Sequence, residues 1–245
     1  MSPLADRILF MDGEAIVIDK PAGLPVDPPR DGSLSLENHL ASLTFGFHRW
    51  PLAVHRLDRD TSGCLLLARN PKAHKRFTQT FESQKIGKTY VAVLDGIVEA
   101  ESGTIELPLR KVSSAEEGWR IVGDLGAKRP GTKHATTEWN VVTRKDGRTL
   151  VAFHPATGRT HQIRVHALEG LGLPIVGDPV YGTASPGHMP MLLHALRLEV
   201  PRANGKAPII ATAPLPDRFI TAGFAAELME ERTAAPSPAP HDVAL

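Results

Sequence analysis

One cysteine, Cys64, is all the chain has, so it closes no internal disulfide and builds no cysteine-rich zinc site. A reducing, cytoplasmic setting is expected. Net charge is also nearly absent: 28 Lys+Arg stand against 27 Asp+Glu. No overall field draws the chain onto a nucleic acid or an anionic membrane, and any polyanion site must be local. Long hydrophobic runs are missing too. Cys64 to Ala68 and Met191 to Leu193 are among the longest, far short of the roughly 20 residues a membrane helix needs. At the start, Arg7 precedes only Ile8 to Met11 before Asp12 and Glu14 interrupt, which excludes a secretory signal. No internal repeat is visible. What remains, 245 residues of which 42% are hydrophobic, with 21 Gly and 21 Pro, fits one large soluble domain or two small ones.

The charge that the total hides is concentrated. Between Arg56 and Lys88 stand Arg56, Arg59, Arg69, Lys72, Lys75, Arg76, Lys85 and Lys88, against Asp58, Asp60 and Glu82. By itself such a run is more often a solvated helix face than a binding site. The surrounding pattern gives it a frame. ILF and AIVID around Asp12-Gly13 read as two short strands, and Pro21-Ala-Gly-Leu-Pro forces a loop. Cys64 to Ala68 reads as a buried strand. Asn70 as N-cap and Pro71 as first residue then open a helix to about Ser83. Lys88–Leu94, Ala135–Val142, Thr149–Phe153 and Leu192–Val200 read as strands, Arg159–Glu169 as a helix stopped by Gly170, and Pro216–Glu231 as a final amphipathic helix. Strands outnumber helices without regular βαβ spacing. The expectation is an α+β fold: a mixed, largely antiparallel sheet with flanking helices and a cleft across the sheet. Residues 1–231 are expected to form one catalytic domain, and the Pro/Ala/Ser-rich residues 232–245 a disordered tail.

Two polar clusters carry candidate chemistry. His55-Arg56-Leu57-Asp58-Arg59-Asp60-Thr61-Ser62-Gly63 leads directly into the apolar run at Cys64. A loop entering a buried strand sets its last polar side chains at the rim of a rigid element. The second cluster is Thr157-Gly158-Arg159-Thr160-His161-Gln162-Ile163-Arg164-Val165-His166, where His161 and Arg164 would share a helix face. A carboxylate from the first and a guanidinium from the second could form a charge-assisted pair that aims the carboxylate and keeps it ionised.

HRLDRDTSG resembles the signature of the RluA-type RNA pseudouridine synthases. IVIDKPAGLPV at 16–26, KTYVAVLDG at 88–96, TGRTHQIRVHALEGLGLPIVGDPVYG at 157–182 and LLHALRL at 192–198 fall in the family's order. The resemblance implies isomerisation of uridine to pseudouridine within RNA, with no metal and no other cofactor. Asp58 matches the catalytic aspartate, which either attacks the ribose carbon or acts as base through a glycal intermediate. Arg164 matches the arginine that pairs with it, and Tyr90 the tyrosine that packs on the target base, with a possible part in proton transfer. A stacked uridine hides its glycosidic bond, so the nucleotide must be flipped out. Arg56 is the candidate to fill the vacated stack. Lys72, Lys75, Arg76, Lys85 and Lys88 are candidate phosphate contacts. With only about 15 residues ahead of IVIDKPAG, no separate N-terminal RNA-binding domain is expected. The chain then resembles the short members that act on ribosomal and transfer RNA loops. The expected partner is RNA, with no membrane, no metal and a monomeric chain.

Plainer readings stand beside these. Asp58 alone would be a loop cap, Tyr90 a core aromatic, Arg164 a structural ion pair and Lys20 a residue flanking a turn. Thr61 and Ser62 read as turn residues whose hydroxyls bond nearby backbone, and Gly63 as a close chain approach. The histidines, among them His154, His161, His166, His188 and His194, lack an HExxH pattern and read as hydrogen-bonding groups rather than ligands. Two rival functions remain: a non-catalytic RNA-binding protein on the same fold, and a glycosidase or nucleosidase using Asp58 and Asp60 as paired carboxylates.

Overall fold

Asp12 begins the fold locally. Its carboxylate oxygen accepts the N–H groups of Glu14 and Ala15 at 2.8 and 2.9 Å and turns β1 (Ile8–Met11) back onto β2 (Ala15–Lys20). The computed structural model describes residues 3–114, 118–126, 129–182, 189–203 and 205–224. Along the chain follow a 3-10 segment (Leu36–Leu43), β3 (Leu52–Ala53), β4 (Ser62–Ala68), α1 (Pro71–Glu82), β5 (Gly87–Leu94), β6 (Ser102–Glu106), β7 (Leu109–Ser114) and β8 (Gly118–Gly123). Then come β9 (Thr136–Lys145), β10 (Arg148–Pro155), α2 (Gln162–Val165) running into a π-helical turn (His166–Gly170), β11 (Leu193–Val200), β12 (Ile209–Thr212) and α3 (Asp217–Thr221).

Among the described residues, ten strands form one sheet in the order β1-β2-β4-β11-β5-β10-β9-β6, with β3 beside β4 and β12 beside β11. Its pairings are antiparallel except that of β4 with β11. The fold is therefore α+β with a mixed, mostly antiparallel sheet. β7 and β8 form a hairpin of their own.

β4 is buried along its whole length, and from Cys64 on it is apolar because both its faces are covered. Cys64, Leu66 and Ala68 pack with Ala73 and Phe77 of α1, while Leu65 and Leu67 pack with Leu36, Leu40 and Leu43 of the 3-10 segment. The alternation of a strand thus defines a back face carrying α1 and a front face. Tyr90 packs against both front-face clusters, one of which also holds Ile163 and Val165 of α2. α1 starts where its sequence places it, with the Asn70 side chain accepting the Ala73 N–H at 2.8 Å.

Two helices differ from the expectation. The segment expected from Arg159 begins at Gln162, because His161 takes a left-handed conformation with φ +53°. The Gln162 side-chain Oε1 accepts both the Arg159 N–H and the Thr157 hydroxyl, which holds Thr157–His161 as a loop. The last helix ends at Thr221, ahead of Gly223 at φ +94°. Residues 225–231 of the expected helix and the expected tail at 232–245 lie outside the described residues.

Candidate active site

The loop before β4 is anchored from below by Lys20. This side chain is fully buried, and its ammonium donates to the carbonyls of Pro21, Leu24 and Arg59 at 2.8, 2.8 and 3.0 Å. Three acceptors satisfy three protons, so Lys20 ties the KPAG turn to the backbone one residue past Asp58. Burial pushes its pKa down to about 7, against the pull of Asp60 and Asp58. The reading of Lys20 as a residue flanking a turn is therefore too weak. Gly63 has φ +108°, and a Cβ there would lie 2.2 Å from the Ala195 carbonyl oxygen, so the parallel contact of β4 with β11 requires glycine. Ser62 does not cap nearby backbone. Its hydroxyl lies 2.8 Å from His194 Nδ1 and accepts a hydrogen bond from Arg218, both remote in sequence.

Asp58 sits on the front face at the mouth of this loop, with a side chain 26% exposed. Arg164 Nη1 donates to its Oδ2 at 3.3 Å. The other edge of the same guanidinium is fully engaged elsewhere: Nε and Nη2 each donate at 2.7 Å to the two oxygens of Asp178. The Asp178 side chain is wholly buried, and its Oδ1 also accepts the N–H groups of Val180 and Tyr181. Burial would raise the Asp178 pKa, but Arg164 and these two N–H groups outweigh it and hold the carboxyl below its ordinary value. For Arg164, burial opposes the charge, yet Asp178 and then Asp58 raise its pKa. Asp178 is thus the residue that fixes the arginine, and the sequence reading passed over it inside GDPVYG. Its only signal there was an aspartate followed by Pro-Val-Tyr-Gly, which reads as a turn.

Gln162 is a second omission. It is buried with every side-chain hydrogen-bonding group used, accepting from Thr157 and Arg159 and donating to the Thr136 carbonyl and the Thr137 hydroxyl. It therefore fixes where α2 starts and, two residues on, where Arg164 points. His161 does not lie on the helix with Arg164; its ring meets Tyr181, whose ring in turn lies 5.0 Å from the Arg164 guanidinium.

Tyr90 lies on β5 facing the front clusters, beside Gly63 and Phe153 across Ala195 and β10. Burial, with the Asp58 charge adding to it, pushes the phenol pKa well up. The neutral phenol is strongly favoured, which fits packing better than service as a base.

The basic residues divide. Arg56 is exposed and paired with Asp27 at the surface, both side chains more than half exposed. Lys88 lies two residues before Tyr90 on β5; its ammonium donates to the Thr157 carbonyl at 2.9 Å, and burial, with Arg159 adding to it, lowers its pKa to about 8. Lys72, Lys75 and Arg76 belong to α1 on the back of the sheet, opposite Tyr90, and Arg76 is committed to Glu14 at 2.8 Å. Lys85 is exposed in the turn after α1. Asp60 acts electrostatically on Lys20. Among the described residues no three His, Cys, Asp or Glu side chains cluster as a metal site, and His188 lies outside them.

Comparison with known proteins decides what this arrangement belongs to. The sequence profile of the RNA pseudouridylate synthase family matches residues 14–169. The chain belongs to the RluA-type RNA pseudouridine synthases. It is 58% identical over 225 residues to an uncharacterised RNA pseudouridine synthase of Zymomonas mobilis, covering 91% of this chain and all of that protein. It is 34% identical to the ribosomal large subunit pseudouridine synthase D of Nitrosomonas europaea, over 86% of this chain and 62% of that one. Among solved structures, human RNA pseudouridylate synthase domain containing 4 superposes with a TM-score of 0.73 at 26% identity, covering 89% of this chain and 91% of its own. The protein is accordingly an isomerase that makes pseudouridine in RNA. No helix among the described residues of this synthase is long and apolar enough to cross a membrane.

Proposed function

We propose that the synthase flips a uridine out of an RNA loop and isomerises it with Asp58 as the catalytic carboxylate. The observation that carries this reading is the 3.3 Å contact from Arg164 to Asp58, made by a guanidinium that Asp178 already holds on its other edge. Either route, attack on the ribose carbon or proton removal through a glycal, needs an ionised carboxylate of fixed direction beside the glycosidic carbon. The N-glycosidic bond breaks, the base turns, and its C5 joins the ribose; the C5 proton leaves and N1 gains one, so no redox partner is required. Tyr90, kept neutral, holds the detached base by packing. Arg56 is free to leave Asp27, since an exposed pair is worth about 1 kcal/mol or less, and to stack in the place of the flipped base while bonding phosphates. Lys88, two residues before Tyr90, and Arg56, two residues before Asp58, are the phosphate contacts for RNA seated at the site; Lys72, Lys75 and Arg76 are reached only by RNA that wraps to the back of the sheet. The chain is taken to act as a monomer. Ribosomal RNA is the first substrate to examine, given the names of the relatives, and transfer RNA the second. A single buried cysteine, Cys64, is in keeping with the cytoplasm.

The test is site-by-site pseudouridine mapping of total RNA with and without the protein, joined to the variants Asp58→Asn and Asp58→Ala. Both variants are expected to lose pseudouridine formation while binding RNA as the parent does, because phosphates supply most of the affinity. Turnover at the parent rate by either one removes Asp58 from the mechanism.

A further inference from the structure

The β7–β8 hairpin lies outside the main sheet, yet it is tied to the residues around Arg164. The Tyr181 hydroxyl accepts the Ile121 N–H and donates to the Ile121 carbonyl, both at 3.0 Å, and the Glu169 carboxylate accepts the Gly123 N–H. Because that hydroxyl has spent its proton, its remaining lone pair takes the Nδ1–H of His161 at 3.0 Å. Burial lowers the His161 pKa. On β8 the hairpin presents Trp119, 48% exposed. Its indole stacks on the His161 imidazole, with centroids 5.3 Å apart and planes at 28°. The Lys111 ammonium lies 4.8 Å from the centre of the indole. A tryptophan half in solvent does little for a core. Here it extends an aromatic series, Trp119 to His161 to Tyr181, that ends against the guanidinium paired with Asp58.

We infer that Trp119 is a stacking platform for an RNA base flanking the flipped uridine, and that Lys111 moves from the indole to that nucleotide's phosphate when RNA binds. Every base has a π-face, and a wide, rigid, partly exposed indole beside a cation is the residue type that single-stranded nucleic acid sites use. The platform contacts a neighbour of the target rather than the reacting atoms, so it governs which loops dock and not the chemistry. The inference rests on the proposed flipping of a loop uridine.

The experiment compares the full chain with Trp119→Phe, Trp119→Ala and Lys111→Ala. Binding of a fluorescein-labelled, single-stranded, adenine-rich RNA is followed by anisotropy over a salt series. Pseudouridine formation is followed on total RNA under single-turnover conditions. Trp119→Ala should weaken binding by about tenfold or more with an unchanged salt slope, and raise the RNA concentration for half-maximal rate without lowering the rate at saturation. Trp119→Phe should recover most of the loss, which a folding defect in the alanine variant would not mimic. Lys111→Ala should flatten the logarithmic salt slope by about 1. Trp119→Ala with parental affinity, or a loss confined to the saturated rate, overturns the platform. An inactive parent protein would instead overturn the proposed function.

Discussion

Asp178→Asn isolates the contribution of the residue that positions Arg164. Asp178 Oδ1 is fixed as an acceptor by the N–H groups of Val180 and Tyr181 and by Arg164 Nη2. In the amide the nitrogen must then stand where Oδ2 accepted from Arg164 Nε at 2.7 Å, setting donor against donor. The flipped amide is worse, since it faces three donors instead of one. The guanidinium, 5% exposed, is left with one ordinary bond to the amide and the 3.3 Å contact to Asp58. Removing one partner of such a buried pair costs about 3–5 kcal/mol. At roughly 2–4 °C per kcal/mol for a chain of this size, the thermal midpoint should fall by about 6–20 °C. Single-turnover pseudouridine formation, measured well below the new midpoint, should fall as well, because Asp58 loses its fixed counter-ion. Adding Arg164→Met should restore part of the stability and none of the rate, since no buried charge remains and no guanidinium either. A midpoint within roughly 2 °C of the parent, together with the parental rate, would refute the claim that Asp178 fixes the arginine.

Three further outcomes follow from the same geometry. The folded Lys20 pKa, about 7, lies below the 10.5 of an ordinary lysine. The unfolded chain therefore binds more protons between those values, and this group's share of the stability rises with pH from about 7 to 10.5 and is flat below; denaturant titrations across that window should show the rise in the parent and lose it in Lys20→Met. Gly63→Ala would set a methyl 2.2 Å from a backbone oxygen at φ +108°, and should abolish soluble expression or shift β11; a well-folded variant at the parental melting temperature contradicts the required close approach. In salt titrations of RNA binding, Arg56→Ala and Lys88→Ala should each reduce the slope by about 1, and the back-face changes Lys72→Ala and Lys75→Ala by less; equal reductions would mean that RNA reaches α1.

The fold was legible where one physical signal dominated. Asp12-Gly13 between two apolar runs, Asn70-Pro71 before a helix, and the unbroken apolar stretch of β4 each have one good solution, and the chain adopts it. β7 and β8 were not legible because a hairpin half in solvent has no alternation to display. The start of α2 was misplaced for a different reason. Local propensity allows a helix from Arg159, but a tertiary set of hydrogen bonds centred on Gln162 holds the preceding residues as a loop.

The site divides along the same line, and the division bears on how one arginine serves two carboxylates. Sequence pattern presented Asp58 and Arg164 as a simple pair, which would lead one to expect a bidentate clamp. A clamp would occupy both oxygens of Asp58 and hold it by its strongest available bond, leaving a poor nucleophile and a poor base. The protein spends the bidentate geometry on Asp178 instead, in a wholly buried pair at 2.7 Å. Asp58 receives one longer bond on Oδ2 and keeps a quarter of its side chain open. Asp178 thereby carries the cost of holding the guanidinium in the interior, and Asp58 gains direction without being neutralised. Lys20 acts in the same sense from below: it fixes the backbone carbonyl of Arg59 rather than the carboxylate itself. Both supports stop short of the Asp58 oxygens, so the loop is rigid while the carboxylate stays available for the role proposed for it.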